Sequence, residues 1–411
     1  MRTFAKVLAV TAVAAIAVTG CGRSNTTTGG GAAPTSAPAV SDVPASGASG
    51  ASDTSGTSGA SGASGASGAS GASGSSEPSG GSGAAAFPAD ALIGVALPQK
   101  TSENWVLAEN LFKTDLAAAG FKADVQFANG GVSEQQNQIT AMVTKGAKVI
   151  VVGAIDGSQL GSQLKAAKDS GAIVIAYDRL LKNTAAVDYY IAYDNFKVGV
   201  LQGKALLEGM AKKKPKGPYN IELFAGSPDD ANAQVFFDGA MSILKPKIDD
   251  GTLKVTSGQK DFQQVVTQGW KAENAQKRMD ALLTAHYTSA VLDGVLSPND
   301  TLARAIITSV KAAGKPVPVV TGQDSEVESV KSIMAGEQYS TINKDTRNLV
   351  KDTITMLTTL QKGGKPDIND PKSYNNGVKV VPAHLLPPLI VTKENAKEAY
   401  ANDPTLSPLT K

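Results

Sequence analysis

The chain has 411 residues, 42% of them hydrophobic and 18% charged, which is enough apolar surface for more than one core. A formal net charge of +2, with acids and bases interspersed, excludes the concentrated basic face of a nucleic-acid partner. A single cysteine, Cys21, excludes an internal disulfide.

The N-terminus opens with "MRTFAK" and continues as "VLAVTAVAAIAV", an apolar run too short to span a bilayer comfortably. The "VTGC" that follows, Val18 to Cys21, resembles the bacterial lipobox, in which cleavage frees a cysteine thiol for acylation. A signal peptide over residues 1–20 and a lipidated Cys21 are therefore expected. Two acyl chains would hold the protein on the outer face of the cytoplasmic membrane, where one chain is marginal. From Gly22 to Phe87 the composition is Ser, Gly, Ala, Thr and Pro, with "SGA" triplets between Ser46 and Ser75. Such a segment buries too little surface to offset its ordering entropy. A flexible tether over residues 21–87 is predicted, with a root-mean-square reach of roughly 45 Å.

Beyond Ala91, short apolar runs alternate with amphipathic stretches. "ALIGVAL", "ADVQFA", "KVIVVGA" and "AIVIAYD" read as strands, separated by helices in "NWVLAENLFKTDLAAAG", "EQQNQITAMVTKGA" and "SQLGSQLKAAKDSG". Continuous apolar runs suit parallel strands covered on both faces. The alternation restarts with strands in "YNIELFAG", "LKVTSG", "LDGVLS" and "VPVVTGQD", again with helices between them. Two successive α/β units predict two doubly wound parallel-sheet lobes with a cleft between them. The portion from Val327 to Leu360 adds a helix, a short strand and a helix that cross back between the lobes.

In open parallel sheets, ligands bind beyond the carboxyl ends of the strands. Those ends carry Asp178 and Arg179, Asp229 and Asp230, Asn299 and Asp300, and Gln323 and Asp324. Any one of them has a plainer use as a helix cap or a surface ion pair. As a set they match a sugar ring, whose hydroxyls both donate and accept and whose C–H faces stack on aromatic plates. Trp105 and Trp270, the two tryptophans, both fall at loop–helix junctions beside the presumed cleft.

From Ala91 to about Thr392 the chain resembles the type I periplasmic sugar-binding proteins of ABC importers, above all the xylose-binding and multiple-monosaccharide-binding receptors. The resemblance rests on "AYDRL", "YDNFKVG", "ELFAGSPDD", "GAMSILKP", "TGQDSEV", "AGEQYSTINKDTR" and "NGVKVVP". It implies sugar contacts from Asp178, Arg179, Asp230, Asn232, Trp270, Asn299, Asp324 and Lys344, with Trp105 near the ring. Asn104 stands where close relatives carry Arg, so a forked donor is replaced by a shorter amide. Ala231 replaces an Asn within "SPDDANA".

The resemblance further implies a monomer that delivers a monosaccharide to ABC permease transmembrane subunits, without a cofactor or metal. The expected lobes comprise residues 88–194 with 324–343, and 195–323 with 344–398, leaving 399–411 as a tail. The expected hinge crosses near Tyr193–Asn195, Gln323–Asp324 and Lys344–Asp345. A sensor presenting its closed form to a chemoreceptor or kinase would use the same pocket. A glycosidase would need two of Asp178, Asp230 and Asp324 at a set separation, one with a raised pKa. Arg179 and Lys344 are expected to lower those pKa values, which favours acceptors over a general acid. Neither His286 nor His384 lies near a strand-end motif, so no triad is evident.

Overall fold

The computed structural model describes residues 87–100 and 102–411. The expected signal peptide, Cys21 and the tether up to residue 86 lie outside the described residues. Phe87 does not belong to the tether. It is buried, with its ring 6.2 Å from that of Phe121, and so starts the folded region.

The first lobe is built on strands β1 (Leu92–Leu97), β2 (Lys122–Phe127), β3 (Val149–Val152), β4 (Ile173–Tyr177) and β5 (Tyr189–Tyr193). A sixth strand from much later in the chain, β11 (Ala383–Leu386), completes an all-parallel sheet in the order β11-β5-β4-β3-β1-β2. Side chains alternate between its faces. Val149 and Val151 enter one core with α1 (Glu103–Ala118) and α10 (Thr346–Gln361), while Ile150 and Val152 enter another with α2 (Val132–Thr144) and α3 (Gly161–Asp169). Burial on both faces is why the inner strands β1, β3, β4 and β5 read as unbroken apolar runs.

The second lobe has a parallel sheet in the order β7-β6-β8-β9, from β6 (Tyr219–Leu223), β7 (Leu253–Val255), β8 (Gly294–Leu296) and β9 (Val319–Val320). Helices α4 (Asn195–Lys213) and α5 (Ala231–Asp249) cover one face, and α7 (Ala272–His286) and α8 (Asp300–Ala312) the other. The short α6 (Phe262–Val265) precedes α7. An antiparallel pair, β10 (Ser340–Asn343) with β12 (Leu389–Thr392), joins α9 (Val327–Met334) and α11 (Ala396–Ala399) at the margin of this lobe. Helices α4 and α5 cross in near-backbone contact. A Cβ on Gly199 would lie 1.9 Å from the Phe236 carbonyl oxygen, and one on Gly239 would lie 2.2 Å from that of Phe196. That crossing fixes where the two helix N-termini meet the cleft.

This topology corrects the expected lobe boundaries. Residues 324–343 pack on the second lobe, not the first, because β10 pairs with β12 and α9 packs on α8. Residues 346–386 belong to the first lobe, because α10 packs on α1 and β11 pairs with β5. The chain then returns at Pro387 and Pro388. The three crossings are therefore Tyr193–Asn195, Lys344–Asp345 and Leu386–Leu389, and Gln323–Asp324 is not among them. Nor is 399–411 a loose tail, since Tyr400 and Leu406 are buried against Val330, Val391 and Ala396.

Candidate ligand-binding site

Between the lobes lies a narrow cavity, about 670 Å³ when the open space at its mouth is counted. The structure brings all ten sequence-predicted residues to its walls: Asn104, Trp105, Asp178, Arg179, Asp230, Asn232, Trp270, Asn299, Asp324 and Lys344. Asp229 and Asp300, also at strand ends, do not line it. Asp300 is wholly buried behind it.

The first lobe supplies the loop after β4. Asp178 has φ 62°, a left-handed conformation uncommon for a non-glycine residue. Its carbonyl oxygen accepts from Tyr190 Oη at 2.8 Å and, across the cleft, from Asn232 Nδ2 at 3.0 Å. Arg179 donates from Nη1 to the Ala154 carbonyl at 2.9 Å, and its guanidinium carbon lies 5.3 Å from the Trp105 ring. Trp105 packs edge-on to Tyr177 at 6.2 Å.

The second lobe answers with helix N-termini. Asp230 caps α5, accepting from the Asn232 amide on Oδ1 at 2.9 Å. Its Oδ2 accepts the Trp270 indole N–H at 3.0 Å and stands 2.9 Å from Arg179 Nε. Asn299 caps α8 in the same way, through Leu302 N at 3.0 Å. Trp270, at φ 55°, packs closely against backbone where residue 226 is glycine, since a Cβ there would fall 2.1 Å from its ring. At the crossings, Lys344 Nζ pairs with Asp324 Oδ1 at 3.1 Å, and Asn104 Nδ2 donates to the Asp324 carbonyl at 3.3 Å.

Three carboxylates thus face two cations around one cavity. Burial pushes the Asp178 carboxyl above its ordinary value, outweighing the opposing pull of Lys344 and Arg179. The expectation that those cations would lower the carboxylates therefore fails at Asp178. Burial also works against the charge of Lys344, but Asp324 and Asp178 outweigh it and hold this ammonium above the usual lysine range.

Other cavity residues were not singled out from the sequence, among them Tyr177, Phe236, Thr346 and Leu349. Phe236 lies one helical turn beyond Asn232, so the i,i+4 spacing on α5 carried that signal. Thr346 and Leu349 occupy the first turn of α10, just past Lys344.

Two α/β lobes joined by three crossings, with polar and aromatic groups converging from both sides, define a class of two-lobed, cleft-binding protein. The chain belongs to the periplasmic binding protein domain family, whose model matches residues 93–365. It is 52% identical to the multiple sugar-binding periplasmic receptor ChvE of Rhizobium radiobacter, over 76% of this chain and 90% of that one. It is 36% identical to the D-xylose-binding periplasmic protein of Escherichia coli K12, over 78% and 92%. A crystal structure of an ABC transporter solute-binding protein from Clostridium phytofermentans with bound β-D-glucose superposes with a TM-score of 0.75 at 40% identity. The match covers 78% of this chain and all of that one.

Proposed function

We propose that the protein captures a monosaccharide between its lobes outside the cytoplasm and, as a monomer, delivers it to the membrane subunits of an ABC permease. The observation that carries this reading is the convergence of Asp178, Arg179, Asp230, Asn232, Trp270, Asn299, Asp324 and Lys344, from both lobes, on one cavity. A pyranose hydroxyl both donates and accepts. Carboxylates accept a hydrogen bond from its O–H, while Arg179, Lys344 and the amides donate to its oxygen. Trp105 and Trp270 offer apolar faces for the ring's C–H bonds. The relatives and the glucose-bound neighbour, by what they are called and hold, support capture rather than catalysis.

Lobe closure would remove the sugar from water, where charge-assisted hydrogen bonds are worth about 1.5–3 kcal/mol each. A few of these with aromatic stacking are enough for micromolar affinity, about −8 kcal/mol. A lipid at Cys21 would keep the receptor beside its permease, and residues 22–86 would set its reach. Tryptophan fluorescence during titration with pentoses and hexoses tests the reading. A saturable response to at least one monosaccharide is expected, and none across the panel would overturn it.

A further inference from the structure

The cavity loop Asp324–Ser325 adopts a backbone that its residues do not favour. Asp324 has φ 99° and Ser325 φ 55°, two consecutive non-glycine residues in the left-handed region. Such strain persists only where the surroundings over-determine it. Part of the restraint comes from the second lobe's interior. Asp324 N donates to the Ile342 carbonyl at 2.9 Å, and Ser325 N to Thr341 Oγ1 at 3.2 Å. Thr341 Oγ1 and the Glu326 amide in turn donate to Asp300 Oδ2, at 2.9 and 3.0 Å.

The remaining restraint comes from the segment that looked like a tail. Tyr400, buried to 1% exposure, donates its phenolic O–H to Ser325 Oγ at 2.6 Å. Three residues on, Asp403 accepts the amides of Thr405 and Leu406, each at 2.8 Å, and its other oxygen pairs with Arg347. Arg347 lies on the first lobe, in the first turn of α10, and also grips Asp345 through two hydrogen bonds at 2.9 and 3.0 Å. One segment of the second lobe therefore holds both neighbours of the Asp324–Lys344 ion pair: Ser325 on one side and the Asp345–Arg347 turn on the other.

We propose that Tyr400 and Asp403 are positioning residues that hold the Asp324–Lys344 pair in the geometry that grips the ligand. The role in ligand binding rests on the sugar reading above, whereas the holding of the loop does not. Neither residue lines the ligand cavity itself, so each acts through the residue it binds.

The test uses the full chain and two readouts. Tyr400→Phe keeps the buried ring and removes only the hydroxyl. Amide hydrogen exchange at Asp324, Ser325 and Glu326 should then accelerate about tenfold or more, the loss expected for one hydrogen bond, while β6 and β8 keep their protection. Ser325→Ala should reproduce the effect, and the double variant should add little to either single one. Asp403→Asn should likewise loosen the Arg347 amide. In calorimetry with D-glucose and D-xylose, Tyr400→Phe should raise the dissociation constant of whichever sugar the wild type binds about tenfold. Unchanged exchange at 324–326 overturns the proposal whether or not a sugar binds, and so does acceleration spread evenly through the lobe. Local acceleration with unchanged affinity, in a protein that binds sugar, overturns the positioning role. A wild type that binds no sugar of the pentose and hexose panel counts against the function proposed above, and the exchange readout still decides whether the segment holds the loop.

Discussion

Arg179 Nε and Asp230 Oδ2 stand 2.9 Å apart across the cleft, one from each lobe. The approach is too oblique for an aligned hydrogen bond, so the contact is chiefly one of charge. Both side chains are nearly sealed from solvent, with 11% and 4% of their surface exposed, and removing one partner of such a pair strands the other charge. Arg179→Lys keeps the charge but loses the rigid fork and the bond to the Ala154 carbonyl. Sugar affinity should fall at least tenfold, about 1.4 kcal/mol, with little change in the ligand-free melting temperature. Unchanged affinity by calorimetry would reduce Arg179 to an ion-pair partner.

Trp270 lies against the glycine backbone at residue 226 and is held by its bond to Asp230. Trp270→Ala should weaken sugar binding by about 1–3 kcal/mol, as expected for a large aromatic surface. Gly226→Ala should do similar damage without touching the tryptophan, because the new methyl displaces the ring. Binding that survives both substitutions would show that the indole is not a platform.

The site was legible in the sequence because parallel sheets present ligands with their carboxyl ends, and the candidates fall just beyond strand-like segments. Asp178 follows "IVIAY" directly, and Asp230 and Asn299 each sit just before a helical pattern. The assignment of 324–398 to lobes was not legible. "AHLL" and "LIVT" are both four-residue apolar segments, and nothing local says that the first joins β5 while the second joins β10. That choice is made by long-range pairing across the Pro387–Pro388 break. No strand or helix period marks the segment 399–411, yet Tyr400 and Leu406 anchor it in the core.

Asp300 gives a pH signature. Burial, together with the nearby Glu326 and Asp324 carboxylates, pushes its carboxyl well above the usual range. A carboxyl whose folded pKa is raised favours folding while protonated, and that contribution is lost as pH rises from the ordinary carboxylate value through the folded one. The melting-temperature advantage of wild type over Asp300→Asn should therefore shrink as pH rises above the ordinary carboxylate range. An advantage that grows with pH would contradict this assignment.

Anchoring is tested at Cys21. Cys21→Ser should prevent acylation and move the protein out of the detergent phase on partitioning, with sugar affinity unaltered. Equal partitioning of wild type and variant, each cleaved before residue 21, would remove the anchor from the account.

One monosaccharide is expected to occupy the cavity between Arg179, Asp230, Trp270 and Lys344. A crystal structure of the protein grown with a saturating monosaccharide tests it most directly. A single sugar ring should appear in that cavity, with hydroxyls on the carboxylates of Asp178 and Asp230 and the fork of Arg179, and an indole against its C–H face. A cavity filled only by water at saturating sugar, or a sugar bound elsewhere on the surface, would contradict it.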